Sequence, residues 1–399
     1  MKKLGFVIPW FGFDIPGGAE AELKGIAMHL HQAGVRLEIL TTCVREFNSD
    51  WSKNAHKQGC TMEHGILVRR FKVRRRDTQA FDQVNVRLMK HQMPLTRKEE
   101  AVFVNEMINS PDLYRYIRRH KEDYSLFVFL PYMFGTTYFG IQECYDQAVM
   151  IPCFHKESYV YLKCFRREFS KIAGMIFHAG PEAGLAARIF DLNGVNTQIL
   201  GGGVDTDFSY KSDRFRGKYQ IREPFILYAG RKDAGKNVCL LLDFFREYKY
   251  RNANDMKLVL IGGGSLDVPD DIQKDVIDLG YIDAQDKFDA YAAACMLCQP
   301  SVNESFSIVM MESWVCERPV LVHEKCEVTR YFVTQSGGGL YFDTYFEFEG
   351  CVNYMLEHED IAVQMGKSGR KYVLEHFAWD VMVDKYIKYF HSLIEKERQ

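Results

Sequence analysis

The chain has 399 residues, of which 47% are hydrophobic, 14% aromatic and 26% charged. This composition is that of a globular protein with a sizeable core, and it excludes a disordered or collagen-like chain. No apolar run reaches the roughly 18 to 20 residues of a membrane helix. A chain this long is expected to form two domains or one unusually large one.

The opening segment MKKLGFVIPWFGF carries two lysines and an apolar stretch, as a signal peptide does. Pro9 and Gly12 interrupt it, however, and no A-x-A cleavage site follows, so we expect a first strand. The eleven cysteines are scattered and odd in number, which indicates reduced thiols in a cytosolic protein. Cys295 and Cys298 form a C-x-x-C pair without a second pair, and buried strand positions are expected there.

The net charge of -2 hides an asymmetry between the two halves. Residues 1–222 hold 32 Lys and Arg against 24 Asp and Glu, and the remainder is acidic. Much of the basic excess lies in one cluster, which is Arg69, Arg70, Lys72, Arg74, Arg75 and Arg76. This basic cluster predicts contact with an anionic membrane surface or phosphate. A solvated strand edge is the alternative interpretation.

Short apolar runs alternate with helical patterns along the whole chain, which predicts βαβ units around parallel sheets. The runs of the first half are 4–11, 36–42, 125–132, 148–154, 175–180 and 197–203. Those of the second half are 225–230, 257–264, 295–301 and 319–324, with a helical pattern over 236–250. The predicted fold class is therefore α/β, with two Rossmann-like, doubly wound domains.

The domain boundaries follow from composition. Residues 1–210 are predicted to form the N-terminal domain, and the polar segment 211–224, which ends in Pro224, is the predicted linker. Residues 225–376 form the predicted C-terminal domain. Residues 377–399 end in an amphipathic helix whose apolar face includes Val381, Tyr386 and Leu393. Two such domains would place a ligand cleft between the carboxyl ends of their sheets.

The first candidate wall of this cleft is Gly17-Gly18, in the PGGAE segment between the first strand and a helix. Glycines at a strand-to-helix turn let backbone N–H groups approach a phosphate, and the helix N-terminus adds partial positive charge. Ordinary tight turns use glycines in the same way. The segment is not G-x-G-x-x-G, which disfavours a dinucleotide oxidoreductase.

The second candidate wall is FILYAGRKDAGKN, where a buried strand runs into Gly230 and is followed by Arg231 and Lys236. The planar fork of an arginine and the point charge of a lysine suit a departing nucleoside diphosphate. A solvated surface is the alternative. The glycines at 262–264, including Gly263, repeat the strand-to-glycine turn and would let a nucleotide pack closely.

The third feature is the segment PSVNESFSIVMMES, with Glu304 and Glu312 on either side of 305–308. If a helix begins near Phe306, its first amides face an anion. A carboxylate beside a phosphate is repelled, so the two glutamates are expected to bind hydroxyls of a ribose and of a transferred sugar. The predicted donor-binding residues here are Glu304, Ser305, Phe306, Ser307, Ile308 and Glu312.

With these segments together, the chain resembles the retaining GT-B glycosyltransferases of family 4 (glycosyltransferase group 1). The resemblance runs from GGAEAEL through CFHKE, LGGGVDTDF, AGRKDAGKN, LIGGG and NESFSIVMMES to EHFAWD. It implies two Rossmann-like domains facing a central cleft, with the last helix crossing back to the N-terminal domain.

The resemblance also implies roles for individual residues. Arg231 and Lys236 would hold the donor diphosphate, Glu312 the ribose hydroxyls, and Glu304 the hydroxyls of the transferred sugar. His155 would lie beside the reaction centre, although Lys156 and Glu157 follow it where the family usually has Asp. Alternatively, His155 has only a structural role, as a histidine whose hydrogen bonds are made within the protein at the end of a buried strand. Ser307 stands where the family commonly has glycine.

Asp205-Thr206-Asp207 matches the D-x-D by which another glycosyltransferase fold binds a divalent metal. A turn and a helix cap would explain both aspartates here. Because Arg231 and Lys236 can neutralise the diphosphate, we expect no metal site and no cofactor.

The expected function is transfer of a hexose, with GDP-mannose as the best guess for the donor, to a surface-polysaccharide or lipid-linked acceptor, as in O-antigen assembly. The alternatives are a nucleotide-sugar epimerase of the same fold and a catalytically silent nucleotide-sugar-binding subunit. The expected location is cytoplasmic, with peripheral contact at the inner face of the membrane through the basic cluster. Nucleic acid is not an expected partner.

Overall fold

A computed structural model describes residues 2–15 and 17–396; Met1, Pro16 and 397–399 lie outside the described residues. The chain forms two compact units. The first unit comprises Met1–Gly203 and Met382–Gln399, and the second comprises Val204–Val381.

The first unit is built on an eight-stranded sheet. Its strands are β1 (Lys3–Val7), β2 (Leu37–Thr42), β3 (Gly59–Glu63), β4 (Ile66–Phe71), β5 (Tyr124–Phe129), β6 (Ala148–Met150), β7 (Gly174–Phe177) and β8 (Asn196–Ile199). They lie in the order β3-β4-β2-β1-β5-β6-β7-β8. β3 pairs antiparallel with β4, and the other neighbours pair parallel. The central strand β5 is buried along its whole length, as parallel strands covered on both faces are.

Seven helices accompany this sheet before the chain enters the second unit. They are α1 (Gly18–Gln32), α2 (Thr78–Met89), α3 (Arg97–Glu106), α4 (Pro111–His120), α5 (Gly135–Gly140), α6 (Lys163–Phe169) and α7 (Gly180–Ile189). Their apolar faces join an aromatic-rich core that includes Phe103, Phe127, Phe165 and Phe169.

The second unit has a six-stranded parallel sheet in the order β11-β10-β9-β12-β13-β14. Its strands are β9 (Phe225–Ala229), β10 (Lys257–Ile261), β11 (Val276–Gly280), β12 (Met296–Gln299), β13 (Val320–His323) and β14 (Gly339–Phe342). Its helices are α8 (Ser212–Tyr219), α9 (Val238–Arg251), α10 (Ala284–Ala293), α11 (Ile308–Val315), α12 (Glu327–Ser336), α13 (Tyr345–Glu357) and α14 (Glu359–His376). The predicted α/β class with two Rossmann-like units is confirmed.

Each apolar run of the sequence contains a strand, but four strands were not predicted: β3, β4, β11 and β14. The residues of β3 are exposed and show no alternation, and two arginines interrupt the apolar pattern of β4. β11 and β14 are the edge strands of the second sheet, and their residues are mostly half-buried. Edge strands need fewer apolar residues, so the apolar pattern that predicts buried strands is weak in them.

The segment 211–224, predicted as a linker, contains the helix α8 and belongs to the second unit. The buried carboxylate of Asp289 in α10 accepts hydrogen bonds from Arg214 Nε and Nη2, both at 2.7 Å, and from the Lys211 amide. The boundary between the units therefore falls at Gly203/Val204 instead of near residue 210. A polar helix held by an ion pair has the same composition as a linker, which explains why the sequence predicted a linker at 211–224.

The last helix is α15 (Trp379–Lys396), and the first unit includes it from Met382 onward. Met382, Tyr386 and Leu393 are buried, whereas Val381 of the predicted apolar face is half-buried. The Tyr389 hydroxyl donates to the Asn196 carbonyl of β8 at 2.7 Å. No helix within 2–15 and 17–396 is both long and apolar enough to cross a membrane.

The basic cluster is not the solvated edge or the open charged patch that the sequence suggested. β4 lies between β2 and β3, and Arg69 pairs with Glu38 at 2.6 Å while the buried Arg70 pairs with Glu63 at 2.9 Å. Of the remaining four residues, two are also engaged and two are exposed. Arg74 pairs with Glu106, Arg76 lies over the Trp51 and Phe81 rings, and Lys72 and Arg75 are exposed. Four of the six residues of the basic cluster thus contact carboxylates or aromatic rings of the same unit.

Cys298 is fully buried in β12, and Cys295 lies directly before this strand and is half-buried. Burial raises the pKa of the Cys298 thiol. The C-x-x-C pair therefore occupies a buried strand region, as expected.

Candidate functional site

Two glycine turns meet at the carboxyl ends of β9 and β10. Gly230 has φ 150° and its amide donates to Ile261 O at 2.9 Å, and Gly262 has φ 117°. A Cβ on Gly262 would lie 2.1 Å from the Gly230 carbonyl oxygen. Glycine is therefore required at residue 262 by both backbone conformation and close approach.

Lys232 holds these turns together, and the sequence interpretation missed it. Its side chain is fully buried, and Nζ donates to the Gly262 carbonyl at 2.6 Å and to Asp278 of β11 at 2.7 Å. Its amide donates to the Gly263 carbonyl at 2.7 Å. A buried lysine needs such partners because an unpaired charge is costly to desolvate. It therefore fixes the loop that carries Arg231.

Arg231 and Lys236 lie on either side of this loop. The Arg231 side chain is 57% exposed, and its Nε lies 3.4 Å from Asp233 Oδ2. Lys236 ends a short 3-10 turn, and its Nζ donates to Glu304 Oε1 at 2.6 Å. Glu304 follows β12 in the adjacent loop, so neighbouring strands β9 and β12 bring the cation and the carboxylate together. Burial, and then the charge of Glu304, raises the pKa of Tyr228.

The helix expected near Phe306 begins at Ile308 as α11. Ser307 is its N-terminal cap residue and has φ 66° in the left-handed region. The Ser307 Oγ is buried and has no hydrogen-bond partner among the described residues. Phe306 is buried against Phe332 and Phe377. Because the first amides of a helix lack intrahelical acceptors, this end of α11 offers donors to an anion.

Glu312 lies just past the first turn of α11 and is 8% exposed. Its Oε1 accepts from Lys287 Nζ at 2.5 Å, and its Oε2 accepts from the Tyr291 hydroxyl at 2.9 Å. Burial and the charge of Glu312 raise the pKa of Tyr291 well above its usual value, so Tyr291 remains a donor. Both partners come from α10. A carboxylate held this way keeps further lone pairs for hydroxyl donors.

Tyr281 is a second residue that the sequence interpretation missed. It directly follows β11 and is 72% exposed. A Cβ on Gly263 would lie 2.5 Å from the Tyr281 hydroxyl oxygen, so the phenol lies against the glycine turn. An aromatic ring at the carboxyl end of the sheet can pack against a planar ligand.

In the first unit, Gly17 caps α1 and Gly18 begins it, and both are exposed. A Cβ on Gly17 would lie 2.1 Å from Glu20 Oε2. The buried Glu20 also accepts a hydrogen bond from the Trp10 indole. The carboxylate therefore lies over the turn where the sequence predicted a phosphate contact.

His155 lies in the loop after β6 and is half-buried, with Nδ1 3.7 Å from Glu157 Oε1. Glu157 accepts from the Tyr132 hydroxyl at 3.1 Å, and its amide donates to the His155 carbonyl at 2.8 Å. Glu157 therefore lies with its carboxylate near the His155 ring.

Asp205-Thr206-Asp207 does not cap a helix, which corrects the expectation. Val204 forms an isolated parallel bridge with Ala378, and the next helix begins at Ser212. Asp205 and Asp207 are exposed. The stretch directly follows the boundary between the units.

The second unit brings Lys236 and Glu304 into direct contact. Four further predicted site residues lie on loops or at the start of a helix at the carboxyl edge of the same sheet, and these are Arg231, Gly263, Ser307 and Glu312. Lys232, Lys287 and Tyr291 complete this site. The burial of Lys232 and the Lys287–Glu312 pair have no sequence signal because both depend on contacts between separate elements.

A solved structure supports the fold. The Anabaena protein HepE, in complex with UDP and glucose, superposes with a TM-score of 0.68 at 14% identity, covering 98% of this chain and 100% of that one. The two Rossmann-like units define a GT-B fold.

Residues 211–372 match the family described as "Glycosyl transferases group 1". A trehalose synthase of Thermococcus litoralis is 25% identical over 185 residues, covering 42% of this chain and 44% of that protein. The O-antigen chain mannosyltransferase C of Escherichia coli is 24% identical over 195 residues, covering 42% and 50%. The chain spans about half the length of these curated relatives.

Proposed function

We propose that this chain is a retaining glycosyltransferase of family 4 that moves a hexose from a nucleotide sugar to a saccharide acceptor. The observation that carries the proposal is the contact of Lys236 with Glu304 beside Arg231, within residues that match the group 1 family. These residues pair a cation for a leaving diphosphate with a carboxylate for sugar hydroxyls.

The diphosphate is the group on which negative charge builds as the bond from the sugar C1 to oxygen breaks. Arg231 and Lys236 are placed to neutralise it, and the amides at the start of α11 donate to its oxygens. The buried Ser307 Oγ is available as a further donor. Charges and dipoles that are positioned in advance stabilise the transition state more than the ground state.

The two carboxylates recognise hydroxyls. Glu304 binds the transferred sugar, and its hydrogen bond from Lys236 holds the carboxylate in place. Glu312 binds the ribose while Lys287 and Tyr291 hold it in place. Contact of His155, Gly17 and Gly18 with the donor stays a prediction from the sequence.

Donor and acceptor are part of the proposal. A hexose from GDP-mannose is our first choice because one relative is named an O-antigen mannosyltransferase, with a surface-polysaccharide or lipid-linked acceptor. UDP is the competing diphosphate, since HepE was solved with it. Contact with an anionic membrane would rest on Lys72 and Arg75, because the rest of the basic cluster is engaged internally.

The test has two stages. Thermal-shift measurements with GDP, UDP and ADP identify the diphosphate, because a ligand that binds the native state raises the apparent stability. The matching nucleotide sugars are then incubated with and without mono- and disaccharide acceptors, and products are followed by NMR of the anomeric proton. We expect acceptor-dependent release of the diphosphate and a product with the donor's anomeric configuration.

The alternatives predict other results. Interconversion of donor sugars without an acceptor would indicate an epimerase. Binding of a diphosphate without turnover of any donor would indicate a silent subunit, and an inverted product would contradict retention.

A further inference from the structure

Three side chains of metal-ligand type meet at the carboxyl edge of the first sheet, on helix α1 and on the loops after β6 and β7. Glu22 lies in α1, Cys153 follows β6, and His178 directly follows β7. Their ligand atoms all lie within 4.8 Å of one another. β6 and β7 are neighbours in the sheet, so their carboxyl ends bring the thiol and the imidazole together.

Two distances within this cluster lie on either side of those in a tetrahedral zinc site, and the shorter one is a direct hydrogen bond that an ion would replace. His178 Nε2 lies 2.5 Å from Glu22 Oε1, and Cys153 Sγ lies 3.9 Å from Glu22 Oε2. Zinc bonds of about 2.0–2.3 Å place neighbouring ligand atoms about 3.4–3.6 Å apart. Shifts of about 1 Å in the three side chains would therefore bring their ligand atoms to the separations of a zinc site. Cys153 has φ 57°, so its backbone is held in the left-handed region where it turns into this cluster.

An outer carboxylate supports the imidazole. The fully buried Glu182 lies with Oε2 3.3 Å from His178 Nδ1 and accepts the His178 amide at 2.6 Å. Its Oε1 accepts the Phe154 amide at 2.7 Å, next to Cys153. Metal-binding histidines commonly direct their second nitrogen to such a carboxylate, which orients the ring.

A buried phenol supplies an independent observation. Tyr386 of α15 is fully buried, and its hydroxyl has no hydrogen-bond partner among the described residues. Burial, with the nearby Glu22 and Cys153, raises the pKa of Tyr386 well above its usual value. A neutral hydroxyl with unused hydrogen-bonding capacity beside the cluster is suited to a metal-bound water.

We propose that Glu22, Cys153 and His178 bind one zinc ion through a carboxylate oxygen, Sγ and Nε2. Glu182 orients His178, and the fourth position holds a water beside Tyr386. A mixed thiolate, imidazole and carboxylate set suits zinc better than magnesium or calcium, which prefer oxygen ligands alone. The ion ties α1 to the loops after β6 and β7 and so fixes the segment that carries His155. The site does not depend on the proposed transferase activity.

The test uses the full chain after chelator treatment and dialysis. Titration with Co²⁺ is expected to give a thiolate-to-cobalt charge-transfer band that saturates at one ion per chain. Zn²⁺ is expected to displace the cobalt, abolish the band and raise the melting temperature. Metal content after dialysis, measured by mass spectrometry, gives the stoichiometry without any assay of activity.

Matched variants locate the ion. Cys153→Ser should lose the band, and Glu182→Gln should weaken zinc binding by about 10- to 100-fold. Cys60→Ser, which replaces an exposed cysteine on β3, should behave like the unaltered chain. His178→Gln repeats the test if Cys153→Ser fails to fold by circular dichroism. Absence of the band and of bound zinc in the unaltered chain would overturn the proposal, as would unchanged binding in folded Cys153→Ser or His178→Gln.

Discussion

Arg231 and Lys236 differ in their surroundings, although both are assigned to the diphosphate. Arg231 is more than half exposed, with Asp233 as its neighbour, whereas Lys236 is mostly buried and bonded to Glu304. A ligand phosphate therefore has to compete with Glu304 for the lysine. The arginine is the more accessible cation of the two.

Arg231→Ala and Lys236→Ala should each lower the rate of donor turnover by about 10²- to 10³-fold, as deletion of one positioned electrostatic contact does. Arg246→Ala is the matched control, because Arg246 is similarly exposed and pairs with Asp271 outside the site. Initial rates at saturating donor provide the measurement. Rates in both site variants equal to that of Arg246→Ala would refute the diphosphate assignment.

Ser307 combines two unfavourable features: a left-handed backbone and a buried hydroxyl without a described partner. We expect Ser307→Gly to raise the free energy of unfolding by about 1 kcal/mol, because glycine adopts this backbone without a steric penalty. Ser307→Ala removes the hydroxyl but keeps the Cβ, so it should gain less. Chemical denaturation of the ligand-free chain gives the free energy of unfolding of the unaltered protein and of both variants. If Ser307→Ala raises it as much as Ser307→Gly or more, the buried hydroxyl and not the backbone conformation destabilises the unaltered protein.

Among the elements, the turns after β9 and β10 depend on each other, because Gly262 packs directly on the Gly230 carbonyl. Helix α13, in contrast, contains an exposed Gly350 with no atom within 4 Å of its Cβ position. Substitution of the two glycines by alanine should therefore have opposite effects on the stability of the same unit.

Gly262→Ala should lower the free energy of unfolding by about 1–3 kcal/mol through backbone strain and the clash with Gly230. Gly350→Ala should raise it by about 0.5–1 kcal/mol, since alanine favours a helix interior. Thermal unfolding followed by circular dichroism tests both. A loss of stability in Gly350→Ala, or none in Gly262→Ala, would show that the local contacts do not decide these effects.

At the scale of the whole molecule, the group 1 match lies entirely within the second unit, and this unit also holds Arg231, Lys236, Glu304 and Glu312. Asp205 and Asp207 belong to this unit too, but they are exposed. The proposed diphosphate site thus has two cations of its own, which makes a divalent metal unnecessary for charge neutralisation.

Transfer should therefore proceed at nearly the same rate with and without added Mn²⁺ or Mg²⁺. The double substitution Asp205→Ala/Asp207→Ala should leave this rate within about twofold, since surface substitutions away from a site are usually close to neutral. Coupled detection of the released nucleoside diphosphate measures both. Strict dependence on Mn²⁺, lost in the double variant, would establish the D-x-D as a metal site.

The sequence by itself determined the α/β class, since apolar strands, glycine turns and helical patterns are local features of the chain. It also predicted which residue types follow the strands, including Arg231, Lys236 and Glu304. Only the tertiary structure shows that Lys236 meets Glu304 and that Lys287 and Tyr291 hold Glu312. It also shows that three of the six residues of the basic cluster pair with carboxylates of the same unit. It also brought Glu22, Cys153 and His178 together. These contacts join residues far apart in the chain, and strand order and helix packing determine them. They could not be predicted, because periodicity and composition carry no information about which elements become neighbours.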